Sequence, residues 1–138
     1  MKQILLDSDV ILDFFLDRKP YSDDTAKILT LCEKKKIKIF STAVAISNIY
    51  YILRKLSSHS IAIEKIKLLL TLIEIINIDK NAIKLALNSE FKDFEDALQN
   101  YSVELNSDIK IIITRNTKDF TKSNLQVLPP IEYLKILV

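Results

Sequence analysis

Five short runs of branched apolar residues, at 3–7, 37–41, 74–78, 110–114 and 126–128, alternate with longer stretches of helical periodicity. A strand followed by a helix-length segment and another strand implies parallel pairing, because a parallel pair needs a crossover and the crossover helix covers a sheet face. The expected class is α/β: three α/β/α layers around a five-stranded parallel sheet. Residues 4–6 and 111–113 are apolar without interruption, as central strands buried on both faces are.

Between these runs, Ser22 or Asp23 is placed to cap a helix reaching about residue 35, and Thr42 to cap one with Ala45, Ile49, Ile52, Leu53 and Leu56 on one face. Ile63, Ile66, Leu69, Leu70 and Ile73 mark another helix, and Asp79 caps the next. Phe94, Ala97, Leu98, Tyr101 and Leu105 recur at helical spacing and predict a buried face over residues 93–106. Pro129-Pro130 opens a final short helix. At 138 residues the chain is expected to be a single domain over 1–138.

Composition excludes several functions. With no glycine, neither a Gly-rich phosphate loop nor a dinucleotide fingerprint can be built. A lone Cys32 and a lone His59 rule out an internal disulfide and a Cys/His zinc cluster. No apolar run approaches 20 residues, and acidic residues interrupt the start where a secretory signal would be apolar, so a cytoplasmic protein with no membrane partner is expected. The net charge of +2 does not itself imply nucleic-acid binding. The lysines are grouped, however, at 34–36, at Arg54-Lys55, and at Arg115, Lys118 and Lys122.

Ligands of doubly wound sheets collect beyond the carboxyl ends of the strands, where strand order reverses. Asp7 and Thr114 sit at two such ends. Asp93 and Asp96, three apart, share a face of the helix before the fourth strand, and Asp119 follows Thr114 by five residues. Carboxylates gathered in this way repel, and a hard cation with oxygen ligands, Mg²⁺ or Mn²⁺, offsets the repulsion. Each residue also has an ordinary structural explanation: Asp7 and Asp93 as helix caps, Asp119 as a turn residue, Asp96 as a solvent-facing helical position.

The segments ILLDSDVILDFF, DFEDALQ at 93–99 and IIITRNTKDF at 111–120 resemble the three acidic motifs of PIN-domain ribonucleases, particularly the bacterial VapC-type toxins. The resemblance spans nearly the whole chain and keeps motif order and approximate spacing. It implies a PIN-like fold and metal-assisted hydrolysis of RNA phosphodiesters to 5′-phosphate and 3′-hydroxyl ends. It makes Asp7, Asp96 and Asp119 the metal-binding, catalytic carboxylates, with Asp93 as an acidic neighbour and Ser8 and Asn116 as small polar residues orienting the site. Arg115 and Lys118 are candidates to hold the RNA strand, with an exposed-charge role as the alternative. A cognate antitoxin and a homodimer are implied as partners. Two positions depart from the family pattern: Asn48 stands where a glutamate is usual, and Asp9 where asparagine is usual.

Two other readings compete. Asp7-Ser8-Asp9-Val10 also resembles the first motif of haloacid-dehalogenase-like phosphohydrolases, with Asp7 as nucleophile, but only 24 residues follow Thr114 and Asp93 and Asp96 stay unexplained. The other is a PIN-like interaction module without nuclease activity, with Asn48 as its mark.

Overall fold

The computed structural model describes residues 2–137. In chain order the elements are β1 (Lys2–Leu6), α1 (Ser8–Phe15), α2 (Tyr21–Glu33), β2 (Ile37–Thr42), α3 (Ala43–Leu56), α4 (His59–Leu69), β3 (Glu74–Ile76), α5 (Lys80–Leu87), α6 (Phe94–Asn106), β4 (Ile111–Ile113), a 3₁₀ turn (Thr117–Phe120), β5 (Gln126–Leu128) and α7 (Pro130–Ile136). All five expected strands are present and every pairing is parallel, in the order β3-β2-β1-β4-β5.

β1 shows why the sheet is central. Ile4 and Leu6 pack into the core under α1, α2 and α3, whereas Leu5 packs on the opposite face with Val103, Ile109, Ile112 and Phe120. Alternate residues of one strand thus feed two cores, which requires helices on both faces. Each such side chain contributes about 1.5–3 kcal/mol by leaving water.

The chain runs from β1 outward through β2 to β3 and then returns to place β4 on the other side of β1. The order therefore reverses between β1 and β4. Leu6 pairs with Ile113 in register, so the next residues, Asp7 and Thr114, emerge side by side at the crevice.

Several caps follow expectation: Thr42 accepts from Ala45 N, and Asp79 from Ala82 N. α2 differs, beginning at Tyr21 behind Pro20, with no side-chain cap. α6 differs more. Its buried residues are Ala97, Leu98, Gln99, Asn100, Ser102 and Val103, while Phe94 and Leu105 are 47% and 46% exposed. The buried face is rotated toward polar residues because it lies over the acidic crevice as well as the core. With no glycine to end α2, Lys35 takes the left-handed conformation, at φ 60°, and Lys36 N bonds Leu31 O to close the helix.

Candidate active site

Asp7 leaves β1 as the N-cap of α1, its Oδ1 accepting from Ser8 N at 2.8 Å. The capping explanation therefore holds, and it leaves the carboxylate free for other contacts. The same Oδ1 accepts from Gln99 Nε2 at 3.1 Å, and Oδ2 accepts from Thr114 Oγ1 at 2.8 Å. Backbone pairing adds Asp7 N to Ile113 O at 2.9 Å. Asp7 is only 5% exposed, and burial raises its pKa against the pull of Gln99, Thr114 and the Ser8 N–H. Oδ2 keeps acceptor capacity beyond Thr114.

Thr114 is fully buried and has two roles: its hydroxyl donates to Asp7 and accepts from Asn116 N at 3.0 Å. Asn116 thus meets this group through its backbone, while its side chain is exposed and makes no cap bond to the 3₁₀ turn. Ser8 likewise contributes its N–H.

Asp96 lies in the first turn of α6 and is half-buried. Its N–H donates to Asp93 Oδ1 at 2.9 Å, so Asp93 is the N-cap of the helix rather than a residue on its face. Burial, then the charges of Asp7, Asp93, Asp119 and Asp9, push the Asp96 pKa up to about 8. Asp9, in the first turn of α1, is raised to about 7 by burial and by Asp7, partly offset by Arg115. Its Oδ1 is buried and has no hydrogen-bond partner among the described residues. Asp119 stands exposed on the 3₁₀ turn, its charge reaching Asp96.

The sequence-predicted carboxylates therefore share one electrostatic field at the carboxyl ends of β1 and β4. Among the described residues they are not drawn into a closed group of three ligands around one point. The donor chemistry still suits a hard cation: oxygens only, two carboxyls whose pKa values are raised by burial and then by acidic neighbours, and one orphaned carboxylate oxygen at Asp9.

Three further residues belong to this region. Gln99, 3% exposed, follows Asp96 by three positions, and that spacing was the available signal for a shared face. Glu95, next to Asp96 on α6, accepts from the Asn48 amide of α3. Asp13 is fully buried and holds Arg115 in a fork, with Nε to Oδ2 at 2.6 Å and Nη2 to Oδ1 at 2.9 Å, while Arg18 approaches at 3.5 Å. Arg115 also lies over the Tyr21 ring, 4.0 Å from its centre. Its guanidinium, a candidate for the RNA strand or an exposed charge, is the counter-charge of a buried aspartate, whereas Lys118 stands exposed on the 3₁₀ turn beside Asp119.

Residues 3–118 match the PIN domain family, and the chain belongs to it. No curated protein matches the chain. Among solved structures, a toxin–antitoxin complex from Klebsiella pneumoniae is similar at TM-score 0.69 and 22% identity, over 92% of this chain and 97% of that one. VapBC2 from Rickettsia felis, bound to a DNA fragment from its promoter, is similar at TM-score 0.67 and 16% identity, over 91% and 96%. VapC20 from Mycobacterium tuberculosis, a sarcin–ricin loop cleaving toxin, is similar at 0.61 and 14%, over 79% and 86%. At these identities the likeness establishes the three-layer fold. Family membership decides against the dehalogenase-like reading.

Proposed function

We propose that this chain, acting as one domain, is a Mg²⁺- or Mn²⁺-dependent endoribonuclease and the toxin of a toxin–antitoxin pair. The observation that carries the reading is Asp96, whose carboxyl is pushed to about 8 by burial and four surrounding aspartates. Strongly perturbed titratable groups cluster at functional sites, and this one lies one helical turn before Gln99, which donates to Asp7.

Asp7, Asp96 and Asp119 are the residues that would hold the cation. When bound, a divalent cation supplies Lewis-acid activation of water and charge stabilisation at phosphoryl oxygens. The chain's own part is orientation: Gln99 and Thr114 fix the Asp7 carboxylate from two sides, and Asp93 fixes the start of α6 and with it Asp96. Asp9 adds a negative group beside Asp7. The Asn48–Glu95 hydrogen bond joins α3 to the start of α6.

The partners proposed are RNA, a cognate antitoxin protein, as the toxin–antitoxin neighbours suggest, and a second copy of the chain. Exposed apolar residues on α3 and α4, Tyr51, Leu56 and Leu68 among them, leave apolar surface for a second copy to cover. No helix of the described residues is long and apolar enough to cross a membrane.

The test is RNA cleavage by the purified protein with Mg²⁺ or Mn²⁺ and with EDTA. Cleavage that stops with EDTA supports the reading. Intact RNA in every condition, with retained folding, would instead favour an inactive interaction module.

A further inference from the structure

A cavity of about 180 Å³ opens beside Asp119, lined by Glu90, Phe91, Lys92, Lys118, Thr121 and Lys122 as well as Asp119 itself. Two segments distant in sequence form it, the turn before α6 and the 3₁₀ turn with the residues after it. Three lysines face two carboxylates there, and those carboxylates are already accounted for. Glu90 is paired with Lys122 at 3.2 Å, and Asp119 belongs to the acidic group. Among the described residues, Lys92 and Lys118 have no carboxylate partner within ion-pair distance. Lys92 and Lys118 thus bring two positive charges to the lining of the cavity that no ion pair among the described residues takes up.

The back of the cavity is firm. Phe91 meets Tyr101 and Phe120 edge-on, with ring centres 5.7 and 5.9 Å apart, and Phe120 is buried in the core. Asp119 links the cavity to the acidic group, since it lines the one and its charge acts on Asp96 in the other. Arg115 does not line the cavity, and two of its donors are held by Asp13.

We propose that this cavity is a subsite for one backbone phosphate of a single-stranded RNA, held by Lys92 and Lys118, next to the phosphodiester that meets the acidic group; this rests on the nuclease reading above. Lysine suits the task, being a compact charge with three rotatable donors that grips an oxyanion without demanding one base or one geometry. The subsite therefore contributes affinity and strand placement, and sequence choice comes from elsewhere.

The experiment measures binding of a short single-stranded RNA across a salt series, in an Asp96→Asn background that keeps the RNA intact, with inorganic phosphate as competitor. Lys92→Gln with Lys118→Gln is compared with Lys34→Gln and Lys36→Gln, an equal charge loss at the opposite, amino-terminal edge of the sheet. The first pair is expected to weaken binding about tenfold at low salt and to lower the salt slope by about 0.7, the loss of one phosphate contact. The second pair is expected to leave the slope unchanged. Lys92→Arg with Lys118→Arg should restore binding, and thermal unfolding should be unchanged throughout because both lysines are exposed. Equal losses from both pairs, or no loss from the first, would overturn the subsite. Competition by millimolar phosphate that is lost with the first pair would support an oxyanion site, whereas competition unaffected by that pair would count against it. Cleavage by the chain carrying Asp96 is assayed in parallel. Cleavage with lysine-independent binding removes the subsite and leaves the nuclease, and lysine-dependent binding without cleavage does the reverse.

Discussion

Thr114 and Asp7, 107 residues apart, are joined by a 2.8 Å hydrogen bond that ties the carboxyl end of β4 to that of β1. The bond lies where strand order reverses, and both partners are buried. It makes one strand end the support of a carboxylate on the next. Thr114→Val keeps the shape and removes the hydroxyl. Stability is expected to fall by about 1–3 kcal/mol in urea unfolding, since Asp7 loses a buried donor. RNA cleavage should fall further than stability accounts for, and Thr114→Ser should recover most of both. Equal stability of Thr114→Val and the parent chain would show that the bond orients nothing.

Arg115 is expected to behave as a structural residue. Arg115→Ala leaves the fully buried Asp13 with only Arg18 at 3.5 Å, so a loss of about 3 kcal/mol is expected. Arg115→Lys should not rescue it, because one ammonium does not replace a two-pronged fork stacked on Tyr21. Denaturant midpoints decide this. A normal midpoint with weakened RNA binding would return Arg115 to the substrate.

Stability without metal should fall as pH rises. Asp96 and Asp9 have folded pKa values of about 8 and about 7, above the unfolded value of 3.8, so between these limits the folded chain holds more protons than the unfolded one. The unfolding free energy then decreases with pH from about 4 to about 8. Saturating Mg²⁺ should flatten this slope by stabilising the charged carboxylates. Thermal unfolding at pH 5 and pH 8, in EDTA and in Mg²⁺, measures both effects. Stability that rises from pH 5 to 8 in EDTA would contradict the crowding.

Asn48→Glu would set a second carboxylate against Glu95, which now accepts from the asparagine amide. In EDTA the variant should unfold at a lower temperature, and its gain on adding Mg²⁺ should exceed that of the parent chain, because cation affinity rises with carboxylate count. An identical Mg²⁺ increment in the two proteins would place Asn48 outside the cation's reach.

The strands were legible because branched apolar runs report burial on both sheet faces, and the reversal of order between β1 and β4 follows from which runs are central. The gathering of Asp7, Asp93, Asp96 and Asp119 at one edge could be anticipated from their spacing, while the choice of Asp7, Asp96 and Asp119 as cation ligands comes from the family resemblance and belongs to the proposal. The partners of these groups were less legible. Gln99 could be found from its three-residue offset from Asp96, but the expectation that Phe94 and Leu105 were buried aimed the helix differently. Arg115 reads in the sequence as an RNA contact or an exposed charge, because its partner lies 102 residues away on α1, a pairing that only the folded sheet creates. The Asn48–Glu95 contact similarly depends on α3 and α6 meeting across 47 residues.

The most direct test of the proposed site is Asp96→Asn, examined for Mn²⁺ binding by calorimetry, RNA cleavage and unfolding on the same preparation. Removing one member of a repelling group should leave the fold as stable as the parent in EDTA at pH 8, or more so. The expected result is a folded protein whose Mn²⁺ affinity and RNA cleavage both fall by about a hundredfold or more. A folded Asp96→Asn protein that binds Mn²⁺ and cleaves RNA as the parent chain does would contradict it.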